Sequence, residues 1–349
     1  MKPDERFLKQ GKVFWANVRT ISEAVGYTEK KRKSKASDTS EEQPSRIKIP
    51  DILEVKNALL KLGLKSTYLI TKEDQLTEFG KRIFSYFEYR ADVLNNFVEP
   101  HLMDKKRAKE EFEKLKSELH PKCPLPQIKQ KGEKKAYAYF TGIINMLIEA
   151  NLEGFPCNYD PQQLTAITRN YAPLRTLARR VDGAFPAIVD PTAVWEIKEY
   201  YNTTSFGSRV ADGIYETLLD GIELEELREE EKIDVKHYLM IDAHDTWWGL
   251  LYQDQGKQRK QQQGKSYLCR IIDMLHMGYI DEVLFGYEVL EVLPTLVKEW
   301  LEIEKNRTDR LPPLTPETFT PTEKTTKSTR RIIREKPTLP YEMLQNHLF

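Results

Sequence analysis

The sequence predicts an α/β fold, in which a mixed central sheet is flanked by helices and follows a mainly helical N-terminal region. Three observations support this prediction. Helix-like runs dominate the chain up to residue 119. From residue 181 onwards, strand-like and helix-like runs follow one another in the order β-β-α-β-α-β. Between these regions, residues 120–135 contain three prolines and several lysines, which is typical of a domain boundary.

Length and composition allow one large domain or two to three smaller ones. The 349 residues are 40% hydrophobic, which is enough for a core, and 31% charged. Lys+Arg and Asp+Glu both number 54, so the net charge neither favours nor excludes nucleic acid as a partner. Three scattered cysteines, no signal peptide and no apolar run of membrane-spanning length predict a soluble, cytoplasmic protein without membrane contact.

Residues 1–130 are predicted to be mainly helical. An amphipathic helix is expected over residues 7–26, and a strongly charged helix over residues 104–119. The polar run 29–46 has low complexity and is interpreted as a mobile loop. Its basic end is either solvated or in contact with phosphates.

Two further helices in this region resemble a helix-turn-helix or winged-helix module. Asp51 caps the first helix, which ends at Gly63, and Thr77 begins the second, which extends to residue 98. The second helix carries an aromatic group: Phe84, Tyr86, Phe87 and Tyr89. Such crowding is typical of a core, and contact with DNA is the alternative.

Residues 131–305 carry the α/β elements. Helices are expected over 137–152 and over 160–171, with Asp160 as the cap of the second. The elements expected after the first hairpin are a helix over 206–221, a strand over 237–243, a helix over 266–277, a strand over 283–290 and a helix over 293–305. Residues 306–349 are rich in Pro and Thr and basic, which predicts an extended arm that either embraces DNA or a partner subunit or is solvated.

The residues that indicate chemistry lie between 181 and 201. β-Branched and aromatic residues predict a strand over 193–201, so Glu196 and Lys198 share one face, about 7 Å apart at their Cα atoms. A carboxylate and an ammonium in mid-strand are costly unless they have partners or a function. Asp182 lies in the preceding strand-like run. The alternative is a solvent-exposed edge strand that tolerates charge.

The Glu-x-Lys triplet by itself is not diagnostic. It occurs elsewhere in polar or helical runs, at Glu29/Lys31, Glu54/Lys56, Glu133/Lys135 and Glu230/Lys232. Only Glu196 and Lys198 combine it with an apolar strand and with an acid in the neighbouring arm of a hairpin. Asp190 is a rival acid, but it lies in the expected hairpin turn, too close to Glu196.

The pattern Asp182-x13-Glu196-x-Lys198 predicts a site for phosphodiester hydrolysis. Two carboxylates that converge at a sheet edge form an oxygen-rich site suited to Mg²⁺. The metal would polarise a phosphoryl oxygen and acidify a bound water. Lys198 can orient or deprotonate that water and oppose the charge that grows on the phosphate.

The segments RRVDGAFP (179–186), VWEIKEYY (194–201) and FGSRVADGIYETLLDG (206–221) resemble the core of the PD-(D/E)xK nuclease superfamily, and more narrowly type II restriction endonucleases. The resemblance covers roughly residues 137–302. It implies a restriction-endonuclease-like fold in which Asp182 and Glu196 bind Mg²⁺ and Lys198 assists the attacking water. The sequence departs from the name-giving motif at one position without a chemical role, where Val181 replaces proline.

The resemblance also implies sequence-specific cleavage of double-stranded DNA. A palindromic duplex requires two active sites related by a two-fold axis, so a homodimer is expected. No nucleotide cofactor is expected, because Gly264-Lys265-Ser266 lacks the upstream glycine of a phosphate-binding loop, where Arg259 stands instead. The alternatives are a repair or recombination nuclease and a non-catalytic DNA-binding or bridging protein on the same fold.

Many members of the superfamily add an acid from the helix before the hairpin. Glu149 is the first candidate for a third metal ligand and Asp160 the second, and a place on a helix surface or in a cap is the alternative for each. Arg209 is the favoured DNA contact, because it opens a helix whose N-terminus favours anions. Ion pairing with nearby acids is the alternative for the arginines. The full set of DNA-binding candidates is Arg179, Arg180, Tyr201, Thr204, Ser208, Arg209 and Lys265.

Overall fold

The chain folds around a mixed sheet with helices on both faces, which confirms the predicted α/β class. The computed structural model describes residues 1–8, 10–29, 45–130, 133–201, 208–249, 251–254, 257–260 and 263–308. The predicted arm over 306–349 lies outside these residues from 309 onwards, and so does most of the loop predicted over 29–46.

The N-terminal region is helical, as predicted. Its helices are α1 (Glu5–Leu8), α2 (Lys12–Val25), α3 (Ile52–Lys61), α4 (Glu78–Asp92), α5 (Glu99–His101) and α6 (Lys105–Leu119), and a π-helical segment over Val93–Val98 joins α4 to α5. Within the described part of this region, isolated β-bridges join Thr28 to Ile47 and Ile70 to Leu76, and no paired strands form a wing.

Local sequence sets the boundaries of α3 and α4. Asp51 accepts a hydrogen bond from the backbone N–H of Glu54, whose side chain accepts one from Asp51 N in return, so the two form a capping box. Gly63 follows α3 with φ of 71°, a left-handed conformation that favours glycine. Thr77 caps α4 by accepting from Gly80 N. The two caps and the terminating glycine were all predicted from the sequence.

The aromatic side chains of α4 belong to a core. Phe84, Tyr86 and Phe87 are buried together with residues of α2, including Phe14 and Trp15. Trp15 and Tyr86 meet edge to face, with ring centroids 5.1 Å apart. These three α4 rings are therefore not exposed for stacking on bases.

The second half of the chain supplies the sheet. Its elements are β1 (Gln127–Gln130), β2 (Glu133–Tyr137), α7 (Tyr139–Asn151), β3 (Ala166–Arg169), β4 (Ala172–Thr176), β5 (Gly183–Phe185), β6 (Ala193–Glu199), α8 (Ser208–Glu231), β7 (Lys236–Asp242), β8 (Leu251–Asp254), β9 (Lys257–Lys260), α9 (Gln263–Met277), β10 (Glu282–Phe285) and α10 (Glu288–Lys305). A π-helical segment over Asp245–Gly249 follows β7.

The central sheet has the strand order β10-β7-β6-β5. β5 and β6 form the predicted antiparallel hairpin, whereas β6, β7 and β10 run parallel, each connected to the next through a helix. One face packs on α6, α7 and α10, with Trp195 stacked on Trp300 at a centroid distance of 5.4 Å. The other face packs on α8 and α9. The sheet is thus covered on both sides, as expected for parallel strands.

The predicted helix over 160–171 is wrong, because part of this segment forms a hairpin. β3 and β4 pair antiparallel, and the turn between them consists of Asn170 and Tyr171, with φ of 53° and 64°. Positive φ at both turn residues matches the twist of a two-residue hairpin. The pairing of Ala166–Arg169 with Ala172–Thr176 outweighs the capping signal at Asp160.

Two further boundaries differ from the predictions. α8 continues to Glu231 instead of ending at Gly221, where the backbone oxygen of Tyr279 would lie 2.4 Å from an added Cβ atom. Gly221 therefore permits a close approach rather than ending the helix. The last strand stops at Phe285, because Gly286 turns with φ of 47° and α10 begins two residues later.

Residues 1–310 form one compact unit. No helix in the described ranges has both the length and the apolar character needed to cross a membrane.

Candidate active site

The site lies at the edge of β6, where its neighbour β5 stops. β5 pairs only with Ala193, Val194 and Trp195. Beyond this pairing, the edge of β6 opens into a cavity of about 470 Å³, called the edge cavity below, whose walls include Asp182, Lys198 and Glu199. Because no described strand covers this part of the edge, side chains from both faces of β6 reach the same cavity.

Asp182 immediately precedes β5 and lies opposite Glu196 on β6. Its backbone N–H donates to Trp195 O at 3.1 Å, and its Oδ2 accepts from Ile197 N at 2.8 Å. Burial raises the pKa of Asp182 to about 6, and the charge of Glu196 adds to this effect. The two acids predicted to converge therefore occupy neighbouring, paired positions of the hairpin.

Glu196 is fully buried and held by two cations. Its Oε1 lies 2.7 Å from Arg179 Nη1, and its Oε2 lies 3.1 Å from Arg179 Nη2 and 2.9 Å from Lys198 Nζ. Burial alone would raise the pKa of Glu196, but Lys198 and Arg179 lower it below its usual value. The carboxylate is therefore ionised and fixed in orientation.

Lys198 is 7% exposed and shares a face of β6 with Glu196, as the alternation predicted. Burial alone would lower the pKa of its ammonium, but the charges of Glu196 and Asp182 raise it above its usual value. Gly213 of α8 makes room for the side chain, since an added Cβ atom would lie 3.1 Å from both Cδ and Cε of Lys198. Lys198 is thus a confined cation at neutral pH.

Sequence reasoning missed two acids of α8 that complete the charge network. Asp220 is fully buried and pairs with Arg179, while Glu216 lies 3.5 Å from both Arg179 and Lys198. Burial raises the pKa of Asp220 to about 7. The available signal was their spacing of four residues, which places both on one face of a helix.

The two candidates for a third ligand occupy different places. Glu149 accepts a hydrogen bond from Lys122 N at 2.9 Å, near the end of α7, and is not part of the cavity wall. Asp160 is exposed and contributes to the wall of the edge cavity. Asp190, the rival acid, lies in the hairpin turn as expected and accepts from Thr168 N at 2.6 Å.

Among the DNA-binding candidates, three have polar groups that are committed inside the protein. The guanidinium of Arg179 pairs with Glu196 and Asp220, which is the alternative that the sequence left open. The hydroxyl of Tyr201 donates to Asp242. Lys265 is 2% exposed, and its ammonium lies 4.7 Å from the ring centroid of Trp248.

The remaining candidates are less constrained. Arg180 is exposed and donates to Gln162 at 3.3 Å. Ser208 and Arg209 open α8, as predicted, but their side chains lie outside the described part of the structure. Thr204 also lies outside the described residues.

The site is rich in carboxylate oxygens, the type of ligand that Mg²⁺ prefers. Four carboxylates, those of Asp182, Glu196, Glu216 and Asp220, surround two cations, so the cluster carries excess negative charge when ionised. The described residues contain no ready-made group of three or more His, Cys, Asp or Glu side chains for a metal. Mg²⁺ needs only one or two protein carboxylates, because it keeps several waters. Asp182 and Glu196 are the residues that would hold it.

Family comparisons divide the chain at α5. The model described as Domain of unknown function (DUF7687) matches residues 103–300, which is more than half of the chain. The chain belongs to the DUF7687 family. A second model, Domain of unknown function (DUF7690), matches residues 1–97. No curated protein and no solved structure matches the chain. All the acids and cations of the site lie within the DUF7687 region, and the aromatic core of α2 and α4 lies within the DUF7690 region.

Proposed function

We propose that this protein is a Mg²⁺-dependent endonuclease that hydrolyses phosphodiester bonds of double-stranded DNA, with a site of the PD-(D/E)xK type. The observation that carries the proposal is the convergence of Asp182, Glu196 and Lys198 at one open sheet edge. A solvent-facing edge strand is a poor account of this site, since Glu196 is fully buried and Lys198 nearly so.

The arrangement of the sheet supports the same proposal. The hairpin of β5 and β6 leads through α8 into β7, which returns parallel to β6, and helices cover both faces. The superfamily resemblance implies the same frame for the segment that contains the three residues. We therefore also propose that this region has a restriction-endonuclease-like fold.

Each residue has a role that follows from its environment. Mg²⁺, when bound, would polarise a phosphoryl oxygen and acidify a water. Asp182 and Glu196 supply the anionic oxygens that hold the ion. Lys198 keeps its proton, because its pKa is raised, so orienting the water and opposing charge on the phosphate is favoured over deprotonation.

Purified protein incubated with long duplex DNA of mixed sequence, in Mg²⁺ or in EDTA, tests the proposal. We expect discrete fragments in the reaction with Mg²⁺ and none in the reaction with EDTA. Cleavage should fall at least about 100-fold in Asp182→Asn, Glu196→Gln and Lys198→Ala. Glu230→Gln and Lys232→Ala are matched controls from another Glu-x-Lys triplet, which is exposed at the end of α8. Cleavage that survives Glu196→Gln would refute the site.

The same assay separates the finer alternatives. Discrete fragments support a restriction enzyme, for which we propose a homodimer in the cytoplasm, and sedimentation equilibrium of the free protein reports the dimer. Random cutting or a preference for branched DNA would indicate a repair or recombination nuclease instead.

A second candidate is a DNA-binding protein that does not cleave. The observation that favours it is Arg179, whose guanidinium contacts both oxygens of Glu196 and one of Asp220. A site neutralised in this way has less need of a divalent cation. Binding of duplex DNA without cleavage under all metal conditions would support this candidate.

A further inference from the structure

Two groups of large apolar side chains are exposed on helices of this chain. The first, called the α3 surface below, lies on α3 and just beyond its end and consists of Leu53, Leu60, Leu62 and Leu64. Leu60 is 72% exposed, although its neighbour Leu59 is buried in a core. Single exposed apolar residues are common in soluble proteins, whereas a group of them marks a place of contact. The α3 surface is therefore a candidate for docking another protein.

The second group, called the α8 surface below, consists of Tyr215, Leu219 and Ile222. Their spacing of four and then three residues places them along one line of the helix, the seam by which a helix packs on another helix. All three are exposed, whereas Ile214 and Leu224 of the same helix are buried in cores. The α8 surface thus has the pattern of a helix-docking seam that faces solvent.

The charges beside the two surfaces are opposite in sign. Exposed Lys61 and Lys65 alternate with the leucines at the end of α3. On α8 the line of apolar residues continues into exposed acids, Asp212 at one end and Glu226 and Glu229 at the other. Like charges brought together are destabilising, so neither surface is suited to pairing with itself, and the acids also disfavour the phosphates of DNA as a partner of α8. Each surface is instead complementary to the other.

The two surfaces also match in length. Leu53 and Leu60 are seven residues apart, as are Tyr215 and Ile222, which corresponds to two helical turns, or about 10.5 Å, in both cases. When the two helices run parallel, Leu60 lies opposite Ile222, and the lysines that follow Leu60 lie beside the acidic end of α8. Shape and charge therefore favour the same arrangement.

We infer that the α3 surface of one copy docks on the α8 surface of a second copy of this chain. Both helices belong to one compact unit and both surfaces are exposed in it, so the contact forms between two chains and not within one. A contact made once in each direction closes a two-fold dimer. The inference rests on the proposed function only for the expectation of a homodimer. It joins the region matched by DUF7690 in one copy to the region matched by DUF7687 in the other.

Sedimentation equilibrium of the full chain, without DNA or metal, tests this contact. Leu60→Glu and Leu219→Glu each place a carboxylate in one of the two surfaces, and each variant by itself is expected to dimerise at least about tenfold more weakly than wild type. An equimolar mixture of the two variants is expected to regain dimers, because one of the two contacts is then unaltered. Ile303→Glu, at an exposed position of α10 on the opposite face of the sheet, is the matched control and should dimerise like wild type. Thermal unfolding should be similar in all three variants, since the replaced side chains are exposed.

The outcomes separate this inference from the proposed function. A wild-type chain that remains monomeric, or a dimer that neither substitution weakens, would overturn the contact. A dimer that only one substitution weakens, without recovery in the mixture, would show that one surface pairs with itself and would also refute the assignment. DNA cleavage by a monomer would leave the nuclease standing without this contact. Recovery of dimers in the mixture supports the contact even if no DNA is cleaved, in which case the nuclease fails alone.

Discussion

Arg179 is the residue on which the charge balance of the site depends. Its guanidinium contacts Glu196 and Asp220 directly and lies 3.5 Å from Glu216, so one cation serves three carboxylates. Its own pKa is raised, since the acids outweigh the effect of burial. A residue that the sequence suggested for DNA is instead central to the ionic structure of the cavity wall.

Asp220 predicts a dependence of stability on pH. Its pKa is raised by burial to about 7, above that of an unfolded aspartate, so the folded state retains a proton that the unfolded state loses. This contribution to stability is fully present below about pH 4 and is lost as the pH rises towards 7. We expect the free energy of unfolding of wild type, relative to that of Asp220→Asn, to fall over this window.

Urea unfolding of both proteins at pH 5, 6, 7 and 8 measures this difference, in which the titrations of groups that do not interact with Asp220 cancel. The slope for one group cannot exceed about 1.4 kcal/mol per pH unit. A flat difference between pH 5 and 7 would show that Asp220 is ionised throughout. Lys232→Ala, at an exposed position, should follow wild type at every pH.

At the level of elements, two glycines of α8 allow other parts of the fold to approach the helix closely. Gly213 faces Lys198 and Tyr200, and Gly221 faces the backbone of Tyr279. Alanine at either position favours a helix by about 1 kcal/mol over glycine. The two positions differ in what an added methyl group would meet, which separates an effect on the site from an effect on packing.

Gly213→Ala is expected to impair the proposed DNA cleavage more than stability. An added Cβ would lie 3.1 Å from Lys198 Cδ and 2.9 Å from the Tyr200 hydroxyl, and both are side-chain atoms that can shift. We expect a change in unfolding free energy within about 1 kcal/mol, but at least about tenfold slower cleavage because Lys198 is displaced.

Gly221→Ala is the matched variant on the same helix. Its Cβ would lie 2.4 Å from Tyr279 O, a backbone atom that cannot move freely, so stability is expected to fall by about 1–3 kcal/mol. Thermal unfolding measures the stability of Gly213→Ala and Gly221→Ala, and a time course measures the rate at which each cleaves DNA. Equal losses of stability would contradict the assigned roles.

For the whole molecule, a buried ion pair connects the region matched by DUF7690 to the region matched by DUF7687. Arg90 of α4 lies 3.0 Å from Asp273 of α9, and both side chains are almost fully buried. Tyr86 donates to the same carboxylate at 2.6 Å, and Arg90 also donates to Ser22 at 2.9 Å. The two regions therefore share a fully desolvated polar contact.

Asp273→Ala is expected to destabilise the whole chain strongly. The change leaves the Arg90 guanidinium buried without its carboxylate, which typically costs about 3–5 kcal/mol. Urea unfolding measures the loss, and Glu110→Ala, which removes an exposed partner of Lys106 on α6, should cost less than about 1 kcal/mol. Equal effects of the two substitutions would show that the Arg90 contact contributes no more than a surface pair.

The prediction over 160–171 illustrates why some elements could not be read from the sequence. Asp160 followed by a polar run is a valid helix signal, yet the segment from Ala166 pairs with Ala172–Thr176. Strand pairing depends on a partner segment, whereas helix capping depends on neighbours within four residues. The caps at Asp51 and Thr77 could therefore be predicted from the sequence, whereas the hairpin of β3 and β4 could not.

The sequence by itself determined the sheet hairpin and the faces of β6, because the period of two places Glu196 and Lys198 on one side whatever surrounds them. Only the tertiary structure decided which charges meet them. Arg179 lies 17 residues before Glu196, Glu216 lies 18 residues after Lys198, and Arg179 and Asp220 are 41 residues apart, so no local pattern states that they converge. The cavity at the end of β5 has the same origin, since it exists where one strand stops and another continues.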